Sequence, residues 1–309
     1  MTTKVNVVAV EEDAEVVVPT GQKGFLETTL AGGVGGACLV LSGHPLDTIK
    51  VRMQTMQIVK GQAPMYSSAF DCARQTVQRE GFRGLYKGVA APLSAVTPMY
   101  ALCFFGYEFG KRIFTTEESY RELHLLPIAA AGATSAVFST PIQAPQERVK
   151  CVMQVQQTAK YSGTVDCAKT LLKEGGASSL FRGFWATMAR DGLASAFYFS
   201  TYEFCKKKFA GADGTVTPVG TLTAGGIAGM LNWLFAIPID TLKSKLQVAP
   251  DGKYPHGIRS VFVDVMKNEG ASALFRGLGP IMLRAFPANA ACFLGYETAI
   301  KVIYWVKSG

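Results

Sequence analysis

Apolar residues gather along this chain in six long stretches, at about 24–55, 88–112, 125–155, 183–208, 217–247 and 277–304. A hydrocarbon core of ~30 Å takes about 20 helical residues at 1.5 Å each, so every stretch is long enough to span a bilayer. The first, third and fifth run to about 30 residues, or ~45 Å, and must tilt, protrude or kink, the kink falling at Pro45, Pro145 and Pro238. Small residues four apart, Gly32/Gly36, Gly132/Ala136 and Gly225/Gly229, permit close helix approach. Between each odd and even stretch lies a short amphipathic segment, such as Phe70 and Val77 among Asp71, Arg74 and Arg79. It is too short and too polar to span and belongs on the membrane surface.

The pattern recurs three times. Aromatic-cation-glycine triplets stand at Tyr86-Lys87-Gly88, Phe181-Arg182-Gly183 and Phe275-Arg276-Gly277, and Tyr-Glu pairs at Tyr107-Glu108, Tyr202-Glu203 and Tyr296-Glu297. A proline, an acid two residues on and a lysine three beyond recur as Pro45/Asp47/Lys50, Pro145/Glu147/Lys150 and Pro238/Asp240/Lys243, each followed by Gln54, Gln154 or Gln247. Three markers repeating in one order imply triplication. The expected fold is an all-α membrane protein: after a tail at 1–23, repeats at 24–118, 119–212 and 213–309 contribute six transmembrane helices around a central cavity, with short surface helices.

Composition agrees with a bilayer as solvent. Only 17% of the 309 residues are charged, against roughly 25% in soluble domains, and 49% are hydrophobic, which excludes disorder and disfavours a water-soluble enzyme. The net charge of +8 would suit a nucleic-acid partner in a soluble protein. Here, however, 19 of the 31 cations fall in 50–87, 148–182 and 243–276, so one membrane side is strongly positive and nucleic acid is not expected. The positive-inside rule turns these segments to the interior compartment and, with six spans, returns both termini to the other side. The triplets at the starts of the even helices offer backbone amides and a cation to anionic lipid headgroups such as cardiolipin. Seven scattered cysteines form no Cys-x-x-Cys pair and read as reduced thiols, three histidines lie far apart, and phosphate-loop and nucleophile-turn motifs are missing, so neither metal, cofactor nor catalysis is expected. Glu11, Glu12, Asp13 and Glu15 oppose the acid-poor character of a cleavable presequence.

Charges at helix ends in a membrane are expensive unless they pair or line a watery cavity. Around a pseudo-threefold axis the acid of one repeat can meet the lysine of the next, so Asp47, Lys50, Glu147, Lys150, Asp240 and Lys243 can close the cavity at its basic side. A second candidate ring at the opposite end comprises Glu108, Lys111, Glu203, Lys206 and Glu297, weakened where Ile300 takes the third lysine's place and Lys301 falls out of register. Two such gates suit alternating access. An asymmetric substrate should touch matching positions that differ between repeats. Alignment on the Tyr-Glu pairs matches Ala95, Arg190 and Arg284, with Asp191 beside Arg190. Arginine suits a carboxylate and Asp191 a cationic group, so a small zwitterion is implied. His44, matching Ala144 and Ile237, reads equally as substrate contact or packed neutral imidazole; for Trp233 packing is preferred over cavity lining or lipid contact.

The triplicated Pro-x-acid-x-x-Lys motif with its companion markers resembles the mitochondrial carrier family over residues 24 to 305. The resemblance implies a monomeric carrier in the inner mitochondrial membrane, with a matrix gate, a cytoplasmic gate and termini facing the intermembrane space. Within the family, Gly43 to Arg52, Ala224 to Trp233 and Arg284 to Phe293 look like carriers that exchange acylcarnitine for carnitine. That likeness implies Asp191 near the trimethylammonium, Arg190 and Arg284 near the carboxylate, and acyl tails in the apolar cavity. Leu193 and Gln146 depart from the proline and glycine usual there, and Val152 from the cation present as Arg52 and Lys245. Ornithine-type basic amino acid carriers resemble the same site, and a carrier-fold scaffold or proton-leak protein is the alternative of another class.

Overall fold

A computed structural model describes residues 8–10, 14–16, 25–56, 64–116, 124–156, 160–211 and 216–308. Six long helices dominate: α1 (Phe25–Thr55), α3 (Ala90–Phe114), α4 (Leu125–Val155), α6 (Phe184–Phe209), α7 (Pro218–Val248) and α9 (Leu278–Ser308). On length and composition alone, Phe82–Phe114, Leu125–Val155 and Thr223–Val248 qualify as membrane spans among the described residues. The other three have matching lengths of 31, 26 and 31 residues and pack beside them. Helical structure continues through Pro45, Pro145 and Pro238. The helices enclose a ring in the order α1, α3, α4, α6, α7, α9, with the long contacts between repeats at α9/α1, α3/α4 and α6/α7. Within repeats, α4 and α6 also pack along one another, whereas α1 meets α3, and α7 meets α9, more sparingly.

Three short helices, α2 (Ala69–Glu80), α5 (Thr164–Leu180) and α8 (Ile258–Asn268), follow the odd helices. Each buries a small apolar face against the end of its own odd helix: Cys72 with Ile49 and Leu85, Cys167 and Leu171 with Val149 and Met153, Val261 and Val265 with Leu242 and Leu246. Burial pushes the Cys72 and Cys167 thiols up to about 11, and all seven cysteines are free. Ser68 starts α2 by accepting the Asp71 amide, one of the orphan donors of a helix N-terminus. Two short strands, Val8–Val10 and Ala14–Val16, pair antiparallel and are the departure from an all-helical chain. Glu15 sits on the second strand, while Glu11, Glu12 and Asp13 lie outside the described residues.

Close approach follows particular glycines rather than the four-residue pattern. A Cβ at Gly132 would lie 2.8 Å from the Phe199 ring and 2.9 Å from the Ser195 carbonyl, and one at Gly36 3.1 Å from Val96. At Gly32 and Gly225 nothing lies within 4 Å, so the expectation fails there: those faces point away from neighbouring helices. The glycines of the three triplets take φ of +80°, +86° and +86°, a region that side chains disfavour. Each then lies against the odd helix of the next repeat: Gly88 on Lys150 and Met153, Gly183 on Gln247, and Gly277 on Lys50 and Gln54.

The surface helices of repeats one and three are also clamped by charge. Glu80 accepts both arms of Arg52, at 2.6 and 2.8 Å, and pairs with Lys87 at 2.6 Å. Burial alone would raise the Glu80 pKa, yet these two cations hold it below the ordinary carboxylate range. Glu269 likewise joins Lys245 and Arg276. Repeat two has Val152 where the cation would stand, and Glu174 instead meets exposed Lys160 at 3.8 Å.

Glu80→Gln leaves the buried Arg52 guanidinium without its carboxylate and should cost about 3–5 kcal/mol, whereas Glu174→Gln should cost under about 1 kcal/mol. Thermal unfolding of the purified variants compares the two. Gly132→Ala should lower the melting temperature through overpacking of about 1–3 kcal/mol, and Gly225→Ala should not.

Candidate substrate cavity

At the end of the ring carrying the proline motifs, the odd helices are drawn together by charge. Lys150 Nζ lies 2.6 Å from Asp47, Lys50 Nζ 2.9 Å from Asp240, and Lys243 Nζ 2.6 Å from Glu147. All three pairs join different repeats. Two glutamines tighten them: Gln54 donates to Asp240 at 2.9 Å and to Thr241 at 3.2 Å, and Gln154 donates to Thr48 at 3.1 Å. The third, Gln247, is fully buried with neither amide atom hydrogen-bonded among the described residues. Arg148 occupies the position that Thr48 and Thr241 hold in the other repeats, so the hydroxyl that would receive the glutamine is missing.

Above this floor opens a cavity bordered by Asp47, Glu147, Lys150, Arg190, Asp191 and Arg284. The three aligned positions Ala95, Arg190 and Arg284 all border it, one from each even helix. Both arginines reach down to the floor. Arg284 Nε lies 3.0 Å from Asp47, and Arg190 Nη2 lies 2.8 Å from Glu147, with Nη1 3.7 Å from Asp240. Although Arg190 and Asp191 are neighbours on α6, the guanidinium folds back to meet its own neighbour's carboxylate at 2.6 Å. Five cations (Lys50, Lys150, Lys243, Arg190, Arg284) and four carboxylates (Asp47, Glu147, Asp191, Asp240) therefore meet in one buried cluster. The surplus positive charge favours an incoming carboxylate over an incoming cation.

The wall on the side of α3 is apolar, made by Pro92, Ala95, Val96, Met99 and Cys103, opposite Leu39 and Val40 of α1. The cavity is thus charged at its floor and apolar along one side. Gln146 borders the chamber, and α6 runs from Phe184 to Phe209 with Leu193 where α3 and α9 contain Pro98 and Pro287.

His44, read equally as a substrate contact or a packed imidazole, lies outside the residues that border this cavity. It is fully buried, with Nε2 3.0 Å from the Lys87 carbonyl oxygen and 3.4 Å from Gln154, and its ring stacks at 6.2 Å on Tyr86. Its place is the seam between repeats one and two. Trp233 both packs and borders the cavity, its ring lying under Lys50 Nζ at 4.5 Å. Asn232 borders the cavity too. Asymmetry was the signal that could have found it, since its repeat counterparts are Leu39 and Ser139.

At the opposite end the pairs seen among the described residues run along single helices. Lys111 meets Glu108 of its own helix at 3.0 Å, and Lys206 meets Glu203 of its own helix at 3.4 Å. Glu297 is exposed, while Ile300 is buried in the place a lysine would take. Among the described residues the three lysines of the floor pair across repeats, and the acids Glu108 and Glu203 are paired within their own helices.

A family model described as "Mitochondrial carrier protein" matches residues 21–118, 121–213 and 214–307. The chain is 49% identical to the human "Mitochondrial carnitine/acylcarnitine carrier protein" over 91% of this chain and 95% of that protein. It is 51% identical to "Protein dif-1" of Caenorhabditis elegans over 91% of this chain and 92% of that protein. A Drosophila melanogaster relative, "Mitochondrial magnesium exporter 1", is 48% identical over 92% of this chain and 97% of that protein. With three matched repeats, a floor of cross-repeat ion pairs and relatives aligned over nearly their whole length, this chain belongs to the mitochondrial carrier family.

Proposed function

We propose that this protein is an antiporter of the inner mitochondrial membrane that exchanges acylcarnitine for carnitine. The observation that carries the reading is the pairing of Arg190, Asp191 and Arg284 with one another's charges and with the floor acids, beside an apolar wall. A carnitine carboxylate fits the guanidinium forks, its ammonium fits Asp191, and an acyl tail fits the wall of Val96, Met99 and Cys103. The relatives named as carnitine/acylcarnitine carriers support that choice of zwitterion. A divalent metal ion as cargo would meet five cations against four carboxylates that are already paired.

The cation-rich segments face the matrix and both termini face the intermembrane space, so the tied floor is the matrix gate, formed by Asp47, Lys50, Glu147, Lys150, Asp240 and Lys243. The opposite end is the cytosolic one. Substrate entering from there competes with Asp47 for Arg284 and with Glu147 and Asp191 for Arg190, because the guanidiniums that take its carboxylate already hold those acids. The floor acids then hold the three lysines with fewer partners, and the free energy of substrate binding shifts the equilibrium toward the matrix-open state. Glu108, Lys111, Glu203, Lys206 and Glu297 form the cytoplasmic gate as the Tyr-Glu ends converge. With Ile300 in the third lysine's place, that gate lacks one charge pair and closes less tightly than the matrix gate. The protein works as a monomer, with cardiolipin held at the triplets that open the even helices.

The test is uptake of labelled acylcarnitine by liposomes loaded with carnitine. Wild type should exchange, and ornithine in excess should not compete. Arg284→Ala should lower kcat/KM at least about thirtyfold, the loss expected when one partner of a buried charged contact is truncated. Ornithine exchange without acylcarnitine exchange would transfer the site to the basic amino acid carriers. Failure with both would leave a scaffold or proton-leak role.

A further inference from the structure

Two uncharged polar side chains border the cavity beside the ionic network, which one of them touches through its ring, Trp233 lying under Lys50 Nζ. Asn232 and Trp233 are consecutive on α7, each only 4% exposed. Asn232 Oδ1 and Trp233 Nε1 are both buried without a hydrogen-bond partner among the described residues. Leaving a buried polar group unsatisfied is costly, and the great majority of such groups are paired. The matching positions in the other repeats carry no such debt. Leu39 and Val40 are apolar, Ser139 donates to the Ser135 carbonyl at 3.1 Å, and Thr140 donates to the Ala136 carbonyl at 2.5 Å. Asn232 and Trp233 are thus an asymmetric pair of unsatisfied polar groups, at the depth where Trp233 packs on Ala194, one turn beyond Asp191, and on Ile281, one turn before Arg284.

We infer that Asn232 and Trp233 read the oxygen on the central carbon of the substrate, between its ammonium and its carboxylate. The inference rests on the carnitine reading and deepens it. Once Asp191 and the two arginines hold the charged ends, the central oxygen is the substrate's one remaining polar function. In carnitine it is a hydroxyl, which can donate to Asn232 Oδ1 and accept from Trp233 Nε1–H. In acylcarnitine it is an ester, which only accepts, and the indole N–H and the asparagine NH₂ are both donors. One pair of side chains therefore serves both members of the exchange. It also fixes which way round the headgroup lies, so the acyl chain leaves toward the apolar wall.

The probe is 4-trimethylammoniobutanoate, which has the charges of carnitine and no central oxygen. In reconstituted liposomes, wild type should favour carnitine over this analogue by about tenfold or more in kcat/KM, as a site built to bond a hydroxyl rejects its deoxy counterpart. Asn232→Leu and Trp233→Phe should bring the ratio within about twofold, mainly by loss of the carnitine rate, with exchange of the analogue retained as evidence of a folded carrier. Asn232→Ser, smaller and still hydrogen-bonding, should keep an intermediate ratio and covers the case in which Asn232→Leu does not fold. An unchanged ratio in the exchanging variants overturns the inference, as does a wild type that treats both compounds alike while exchanging them well. A wild type that exchanges neither overturns the carnitine reading itself and takes this inference with it.

Discussion

Everything in this molecule hangs on the burial of charge at one end of six helices. A lysine or carboxylate set near the end of a membrane helix is tolerated only beside a partner, and each partner here belongs to another repeat. The odd helices therefore have to meet at the floor, and the left-handed glycines of the triplets let the starts of the even helices crowd against them there. At the other end Lys111 and Lys206 meet acids of their own helices, in contacts that tie no repeat to another. A chamber tied together by charge at its floor is the geometric result of that inequality.

The same charges that close the floor also engage the two arginines that border the cavity. Arg190 and Arg284 are held by floor acids, so the site and the closure share members and cannot change independently. Threefold order is incomplete in the polar ties around them. Two seams have a glutamine bonded across repeats, and the third has Gln247 buried without a partner beside a repeat that carries Arg148 and Val152 in place of a threonine and a cation. The seam between repeats two and three is held instead by Arg182, which donates to the Ala249 and Pro250 carbonyls and pairs with Asp251.

Much of this was legible in the residues alone. The six spans stand within a few residues of the helices because apolar length and punctuation by proline and glycine are properties of the chain, read without knowledge of neighbours. Cross-repeat pairing was legible because a charge pattern repeated three times around an axis leaves few cheaper arrangements. What depended on neighbours was not legible. The reach of Arg284 to Asp47 depends on two helices 237 residues apart in the chain, and the burial of His44 on a carbonyl and a glutamine from other elements. Four-residue glycine spacing says that a helix has a smooth face, but not whether another helix or lipid lies against it, which is why Gly132 and Gly225 differ. Asn232 is marked in the sequence by its difference from Leu39 and Ser139, but its unmet hydrogen bonding depends on what surrounds it.

The direction of the contacts around the ring carries one more consequence. The triplet glycine of repeat one packs on repeat two, that of repeat two on repeat three, and that of repeat three on repeat one. The densest helix contacts also run between repeats. A head-to-tail interface that closes after three rotations is the kind made by a cyclic trimer of separate chains. The peptide links between repeats are thus not what defines the architecture. They free each third to diverge from the others, and only such divergence allows a chamber built on threefold geometry to grip a molecule that has no symmetry of its own.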